Sequence, residues 1–296
     1  MTSSYLTGIR LMIQAAVAFS LMAVCVKTAS RDLPSIEIVF FRSIIGFLLT
    51  LFFIRINKVP YFGTQKKQMI IRGVCGFFAL HFFFYSLANL PLGTAVLLNY
   101  TSPFFVLLLS PVILKEKVPA WLFSLVILCF AGLWLLTTGE IDYRSKYFAA
   151  ALASSAFAAV SYITIRAVKG KESPFTIMFY FTLISSVASA FFTVPVYQHP
   201  SPQGWITLVG AGLWAFAGQY FLTHAIHHAP PSLVSPFSYL TPVLAYFYGL
   251  IFWDETLSAR GFCGVLLIIF GGCLISYFSG KMHRQSIMAP PEEESV

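Results

Sequence analysis

The chain reads as ten apolar runs of roughly the 20 residues an α-helix needs to cross a bilayer, separated by short gaps that hold nearly all of its charge. Inside hydrocarbon every backbone N–H and C=O must find its partner within the protein, so such runs fold as a helical bundle. The runs lie near residues 9–29, 35–56, 68–89, 92–114, 119–138, 146–169, 174–197, 202–226, 232–252 and 258–279. Charge and helix breakers fill the gaps, as in Arg31-Asp32-Leu33-Pro34, Asn57-Lys58-Val59-Pro60 and Lys169-Gly170-Lys171-Glu172-Ser173-Pro174. Tight turns at Leu90-Pro91 and Ala229-Pro230-Pro231 make nine spans the alternative count. The stretch from Leu11 to Val26 after Arg10 reads as a first, uncleaved span rather than a signal peptide. Residues 280–296, ending in Glu292-Glu293-Glu294, read as a disordered cytoplasmic tail.

Only 10% of the residues are charged, against about 25% in a soluble domain, so much of the surface must face lipid. The net charge of +8 could suggest nucleic-acid binding. The Lys and Arg sit in the gaps rather than on one polar face, which excludes that partner and fits a membrane protein. With both termini cytoplasmic, 13 of the 19 Lys and Arg fall inside and 5 outside, with Arg42 assigned to a span. This bias sets the orientation. No acidic residue is expected within a span. The five cysteines form no CxxC pair and lie in apolar runs, so they read as packing residues, with neither metal nor cofactor implied.

The two halves of the chain repeat. At an offset of 139, Gly73 meets Gly212, Pro91 meets Pro230, Tyr100 meets Tyr239, Pro103 meets Pro242, Glu116 meets Glu255 and Gly132 meets Gly271. Ala15, Ala18, Ser20 and Ala23 meet Ala150, Ala153, Ser155 and Ala158 at an offset of 135. The units are 9–138 and 146–279, each of five spans. An odd number of spans makes the second unit enter the membrane from the opposite side. Inverted repeats recur in carriers because two similar halves supply an inward-open and an outward-open state. The fold class expected is therefore an all-α integral membrane protein of ten transmembrane helices in two inverted five-helix repeats.

Particular residues resemble a known family. Phe40-Phe41-Arg42, Arg72-Gly73, Leu90-Pro91-Leu92-Gly93-Thr94-Ala95, Thr101-Ser102-Pro103 before Lys115-Glu116-Lys117, and Leu240-Thr241-Pro242 before Asp254-Glu255-Thr256 are similar to the paired EamA domains of the drug/metabolite transporter superfamily. The resemblance covers nearly the whole chain. It implies a multi-pass protein of the bacterial inner membrane. Its central cavity would be lined mainly by spans one, three, four, six, eight and nine. It also implies a secondary transporter of a small organic metabolite such as an amino acid, S-adenosylmethionine or a nucleobase-like compound.

Several side chains are candidates for that cavity. Arg42 is either a counter-charge for an anionic cargo or a structural arginine; the family places it outside the cavity core, which favours the structural role. His81 and Tyr85 share a face of span three. Asn99 and Pro103 lie on a stripe of span four, and Tyr239, Pro242 and Tyr246 on the matching stripe of span nine. Each proline frees an upstream carbonyl and kinks its helix. Gln219 and Thr223 form a stripe of span eight with His224 beside it. Glu116 and Glu255, on opposite sides of the membrane, suit gates or helix caps. An aromatic cavity poor in acids would hold a planar or cationic group by stacking and cation–π contacts. The partners implied are a small-molecule substrate and membrane lipid; proton or counter-substrate coupling, through His81 for example, and the oligomeric state are left open. A polytopic membrane enzyme, such as a lipid or acyl transferase, is the competing class, and it would need convergent acids or a nucleophile at one depth.

Overall fold

A computed structural model of the chain describes residues 2–89, 98–115, 118–136, 146–253 and 259–288. Ten principal helices are present among them: α1 (Thr2–Ala29), α2 (Ser35–Ile56), α3 (Lys66–Asn89), α4 (Ser102–Ile113), α5 (Ala120–Leu136), α6 (Lys146–Ala167), α7 (Pro174–Thr193), α8 (Pro202–His228), α9 (Leu240–Trp253) and α10 (Ala259–Met288). The described residues contain no strand. Six helical stretches among the described residues are long and apolar enough to cross a membrane: Ser4–Ala29, Ser35–Ile56, Lys66–Ser86, Lys146–Ala167, Pro174–Val196 (α7 with the 3-10 turn that follows it) and Pro202–His228. Ser102–Ile113, Ala120–Leu135 and Ala259–Ile275 are shorter apolar helices. The 22 residues of α2 rise about 33 Å, enough for a hydrocarbon core of ~30 Å.

Local chemistry sets the helix starts. Pro174 and Pro202 stand at first helical positions, where the missing N–H costs nothing. The Ser173 Oγ accepts from the Phe175 N–H (3.3 Å) and the Ser201 Oγ from the Gly204 N–H (3.0 Å), which satisfies donors the helix cannot. The outer surface is apolar: Val112, Phe191, Val194 and Ile206 are all at least 74% exposed, a surface suited to lipid.

The helices pair across the halves in a pattern that survives exchanging the halves. Helix α1 packs on α8 and α3 on α6, which are first-on-third contacts in both directions. Likewise α2 meets α8 while α3 meets α7, and α1 meets α9 while α4 meets α6. The remaining pairs, α2 on α7 and α5 on α10, join equivalent helices. At the α5–α10 crossing a Cβ on Gly132 would lie 2.7 Å from the Gly264 carbonyl oxygen, so the backbones meet without a side chain between them.

Four features differ from the sequence reading. The ninth span is discontinuous: one helical turn (Pro231–Val234), a 3-10 segment (Ser235–Tyr239), and only then α9. The kink expected at Pro242 is preceded by this break, where Pro236 lies in the 3-10 turns. An acid does lie within a span as drawn: Glu37, in the first turn of α2, is fully buried. Arg72 lies inside α3 and is buried as well, so the count of inside charges falls to 12 against 5 outside. Helix α10 continues to Met288, past the boundary drawn at 280, while residues 289–296 lie outside the described residues.

Candidate functional site

Helix α3 turns Arg72, Gly76, Ala79 and Phe83 to one side, at steps of three and four residues. This face lines a cavity of ≈ 150 Å³. From Arg72 to Phe83 the helix rises about 16 Å, so the cavity runs deep within the bundle. Both halves build its walls. Phe19 and Met22 come from α1, Arg42 from α2, and Asn99 and Tyr100 from the residues just before α4. The second half supplies Ser161 and Tyr162 of α6, Phe181 of α7, Gln219 of α8, and Thr241 and Pro242 at the start of α9. The break in the ninth span thus delivers α9 to the cavity at its first turn.

Two arginines line this cavity, and no acidic residue among the described residues does. Arg72 is 2% exposed. Its guanidinium donates to the Ser161 Oγ (2.5 Å) and the Gln219 Oε1 (3.0 Å) and lies 4.4 Å from the centroid of the Phe181 ring. Gly76 packs where a Cβ would collide with this guanidinium. Arg42 is 5% exposed, its Nε is buried without an acceptor, and it makes no hydrogen bond or ion pair among the described residues. A charge buried without a partner costs several kcal/mol, and a charge at membrane depth points by default to a substrate path or cavity.

Polar contacts tie the flanking helices together. The Asn99 Nδ2 donates to the Ser154 Oγ (2.7 Å), which donates to the Ala79 carbonyl (2.7 Å). Across the bundle the Thr241 hydroxyl donates to the Ala16 carbonyl (3.3 Å). Outside the lining, the hydroxyls of Thr223, Ser235 and Tyr239 are buried with no partner among the described residues.

Of the residues proposed from sequence, Arg42, Asn99, Gln219 and Pro242 line the cavity. The others whose side chains are described lie elsewhere. His81 stacks between Phe77 and Phe192, and Tyr85 meets Tyr147 with its own ring exposed; both are on the α3 face turned from the cavity. Pro103 is buried in the first turn of α4. Thr223 is fully buried within α8, and His224 packs on Tyr220 at 4.3 Å. Tyr239 is buried in the apolar cluster against α5 and α10. The backbone of Tyr246 belongs to α9, but its side chain, with Glu116 and Glu255, lies outside the described residues. The sequence reading missed Arg72, Ser161 and Tyr162. Arg72 sits four residues inside the third run as drawn, and its spacing to Gly76, Ala79 and Phe83 was the available signal. No three His, Cys, Asp or Glu side chains cluster as a metal site among the described residues.

Comparison with known proteins agrees with this architecture. The profile of the EamA-like transporter family matches residues 6–138 and again 145–277. The pseudopaline exporter CntI of Pseudomonas aeruginosa is 33% identical over 271 residues, covering 89% of this chain and 93% of that protein. An S-adenosylmethionine uptake transporter of Rickettsia conorii is 26% identical over 292 residues, covering 95% and 97%. Human solute carrier family 35 member G1 is 23% identical, covering 85% of this chain and 73% of that protein. One solved crystal structure superposes with a TM-score of 0.82 at 17% identity, covering 95% of this chain and 99% of that one, which is a likeness of fold.

Proposed function

Because the chain belongs to the EamA-like transporter family, and is thereby a multi-pass membrane transporter of small metabolites rather than an enzyme, we propose that it is a secondary carrier working by alternating access. The observation that carries this reading is the cavity itself, lined from both halves of an exchange-symmetric bundle. If the halves rock against each other, the same side chains face one side of the membrane and then the other.

Inversion of the second half has support beyond the odd count of spans. The connection before α7 touches the connection after α2, through the Thr64 hydroxyl and the Gln65 N–H on Glu172. At the other end of α2, Glu37 receives the N–H of Gln198 from the connection after α7. Helices α2 and α7 therefore run antiparallel, as inverted repeats require. With 12 Lys and Arg inside and 5 outside, both termini face the cytoplasm.

The cargo is an amino acid or S-adenosylmethionine rather than a bare nucleobase, since the described lining of the cavity presents cations and no acid. Uptake into proteoliposomes tests the carrier reading. Saturable flux of labelled amino acids or S-adenosylmethionine is expected, and no saturable flux of any metabolite in a broad panel would refute it.

A further inference from the structure

We propose that the cavity recognises a carboxylate on its cargo, with Arg42 as the direct ligand and Arg72 as a second cation held in position. The inference deepens the carrier reading and rests on it. Arg72 already has two oxygen acceptors and an aromatic ring. Arg42 has none among the described residues, though it is buried and lines the same space. Among the described residues the lining holds no acid that would balance either charge. A carboxylate supplies what Arg42 lacks: two oxygens in the geometry of the guanidinium fork. The wall that accompanies the charges is aromatic, with Phe19, Phe83, Tyr100 and Tyr162, which suits a planar or apolar body behind the acid. A cation with no carboxylate, which aromatic composition alone would suit, is disfavoured by two arginines in the same lining.

The test uses the purified full chain and a panel of the amino acids and S-adenosylmethionine, with their methyl esters and decarboxylated amines and with phenyl phosphate. Binding is read by thermal shift and flux in proteoliposomes. At least one acid should bind and be carried, with its ester and amine weaker by tenfold or more. Arg42→Gln should lose binding of that acid while Arg42→Lys keeps part of it. The comparison of acid with ester needs no variant, so a misfolded Arg42→Gln does not spoil it. Equal binding of acid and ester, binding of phenyl phosphate in preference, or no binding by any acid overturns the inference. Flux of an uncharged compound without binding of acids would sink this inference and leave the carrier reading standing. Binding of an acid with no flux of any compound would do the reverse.

A second inference rests on two other buried carboxylates. Glu37 stands in the first turn of α2 and Glu172 two residues before the start of α7, and both are buried. Glu172 accepts from the Thr64 hydroxyl (2.9 Å) and the Gln65 N–H (2.6 Å), in the connection after α2. Gly63 leaves room for it, since any Cβ there would overlap its carboxylate. Glu37 accepts from the Gln198 N–H (3.0 Å), in the connection after α7. Each acid thus ties the other half's connection, at opposite ends of helices about 30 Å long. We infer that they are latches, one per membrane face, that release in turn as the carrier opens. In a cysteine-free background with Ala245→Cys in the cavity wall, Glu172→Gln and Glu37→Gln should raise labelling by an impermeant thiol reagent from opposite sides of the membrane. A disulfide between Thr64→Cys and Glu172→Cys should block flux, and reduction should restore it. Shifts toward the same side, unchanged labelling, or full flux with the disulfide formed would overturn the latch reading.

Discussion

Removing Gln219 is expected to destabilise the protein more than removing Arg72, the cation that Gln219 serves. Arg72 donates to two acceptors, Ser161 and Gln219, while 2% exposed. A hydrogen bond to a charged group contributes about 1.5–3 kcal/mol. Gln219→Leu leaves the guanidinium buried with one acceptor fewer, so the expected cost is ~2–3 kcal/mol. Arg72→Met deletes both bonds, but it also deletes the desolvation penalty of a buried ion, itself several kcal/mol. It leaves only neutral Ser161 and Gln219 facing the cavity. Its net cost is expected to be about 1 kcal/mol or less. In the Arg72→Met background, Gln219→Leu should then cost under ~0.5 kcal/mol, because the interaction it breaks is already gone. Thermal unfolding in detergent reads the difference, with each kcal/mol worth roughly 2 °C in a chain of this size. Gln219→Leu should melt roughly 4–6 °C below wild type on that scale. An Arg72→Met protein that melts below Gln219→Leu, or a double variant whose costs simply add, would refute the reasoning.

Gly132→Ala should lower stability by about 1–2 kcal/mol, because the new Cβ would sit 2.7 Å from the Gly264 carbonyl oxygen. Gly46→Ala meets only the Thr182 methyl at 3.5 Å and should gain up to ~1 kcal/mol from helix propensity; melting temperatures of the two variants check the pair. Pro242→Ala should reduce flux while membrane insertion stays intact, since Pro242 lines the cavity directly after the 3-10 break. His81→Phe should transport close to wild type, because His81 stacks on Phe77 and Phe192 outside the cavity; loss of flux would return it to the mechanism. The exchange Arg42→Phe with Phe181→Arg should not rescue Arg42→Phe in a flux assay, because the Phe181 ring lies 4.4 Å from the Arg72 guanidinium and a second cation there would repel it.

The spans were legible because lipid imposes one requirement on every residue of a helix, and that requirement adds up over 20 positions. The cavity was legible only in part. Gln219 and Asn99 declared themselves as polar residues deep in apolar runs. Arg72 did not, since its place six residues after Lys66 and four inside the run resembles one more charge at the mouth of a span until its burial against Ser161 and Gln219 is seen. Ser161 and Tyr162 carry no signal of their own. A serine in a membrane helix commonly bonds its own backbone, as Ser155 does with the Leu152 carbonyl. Ser161 acquires meaning only when Arg72 arrives from another helix. His81 and Tyr85 misled for a related reason: spacing shows which residues share a face, but not which way the face turns. The break at Ser235–Tyr239 was hidden because Pro236 and Pro242 predict a kink somewhere without saying where the helix resumes.

The helix contacts of this protein survive exchanging its halves, and its chemistry does not. Helix α2 begins at Ser35 and α7 at Pro174, so the 139-residue register holds there and places Phe181 opposite Arg42. The same register pairs Arg72 with Ala211 and Gln219 with Leu80. Both cations of the described lining therefore belong to the first half, and among the described residues no cation answers them from the second. The groups that hold Arg72, however, all come from the second half: Ser161 on α6, Phe181 on α7 and Gln219 on α8. Arg72 is thus a bridge between the two bodies that alternating access would move apart. A relative shift of even 1 Å would stretch hydrogen bonds whose useful range is only about 2.7–3.2 Å. No such shift leaves a buried cation's surroundings unchanged, so if the proposed carrier rocks, its barrier contains a term that an anionic group entering the cavity is chemically suited to lower.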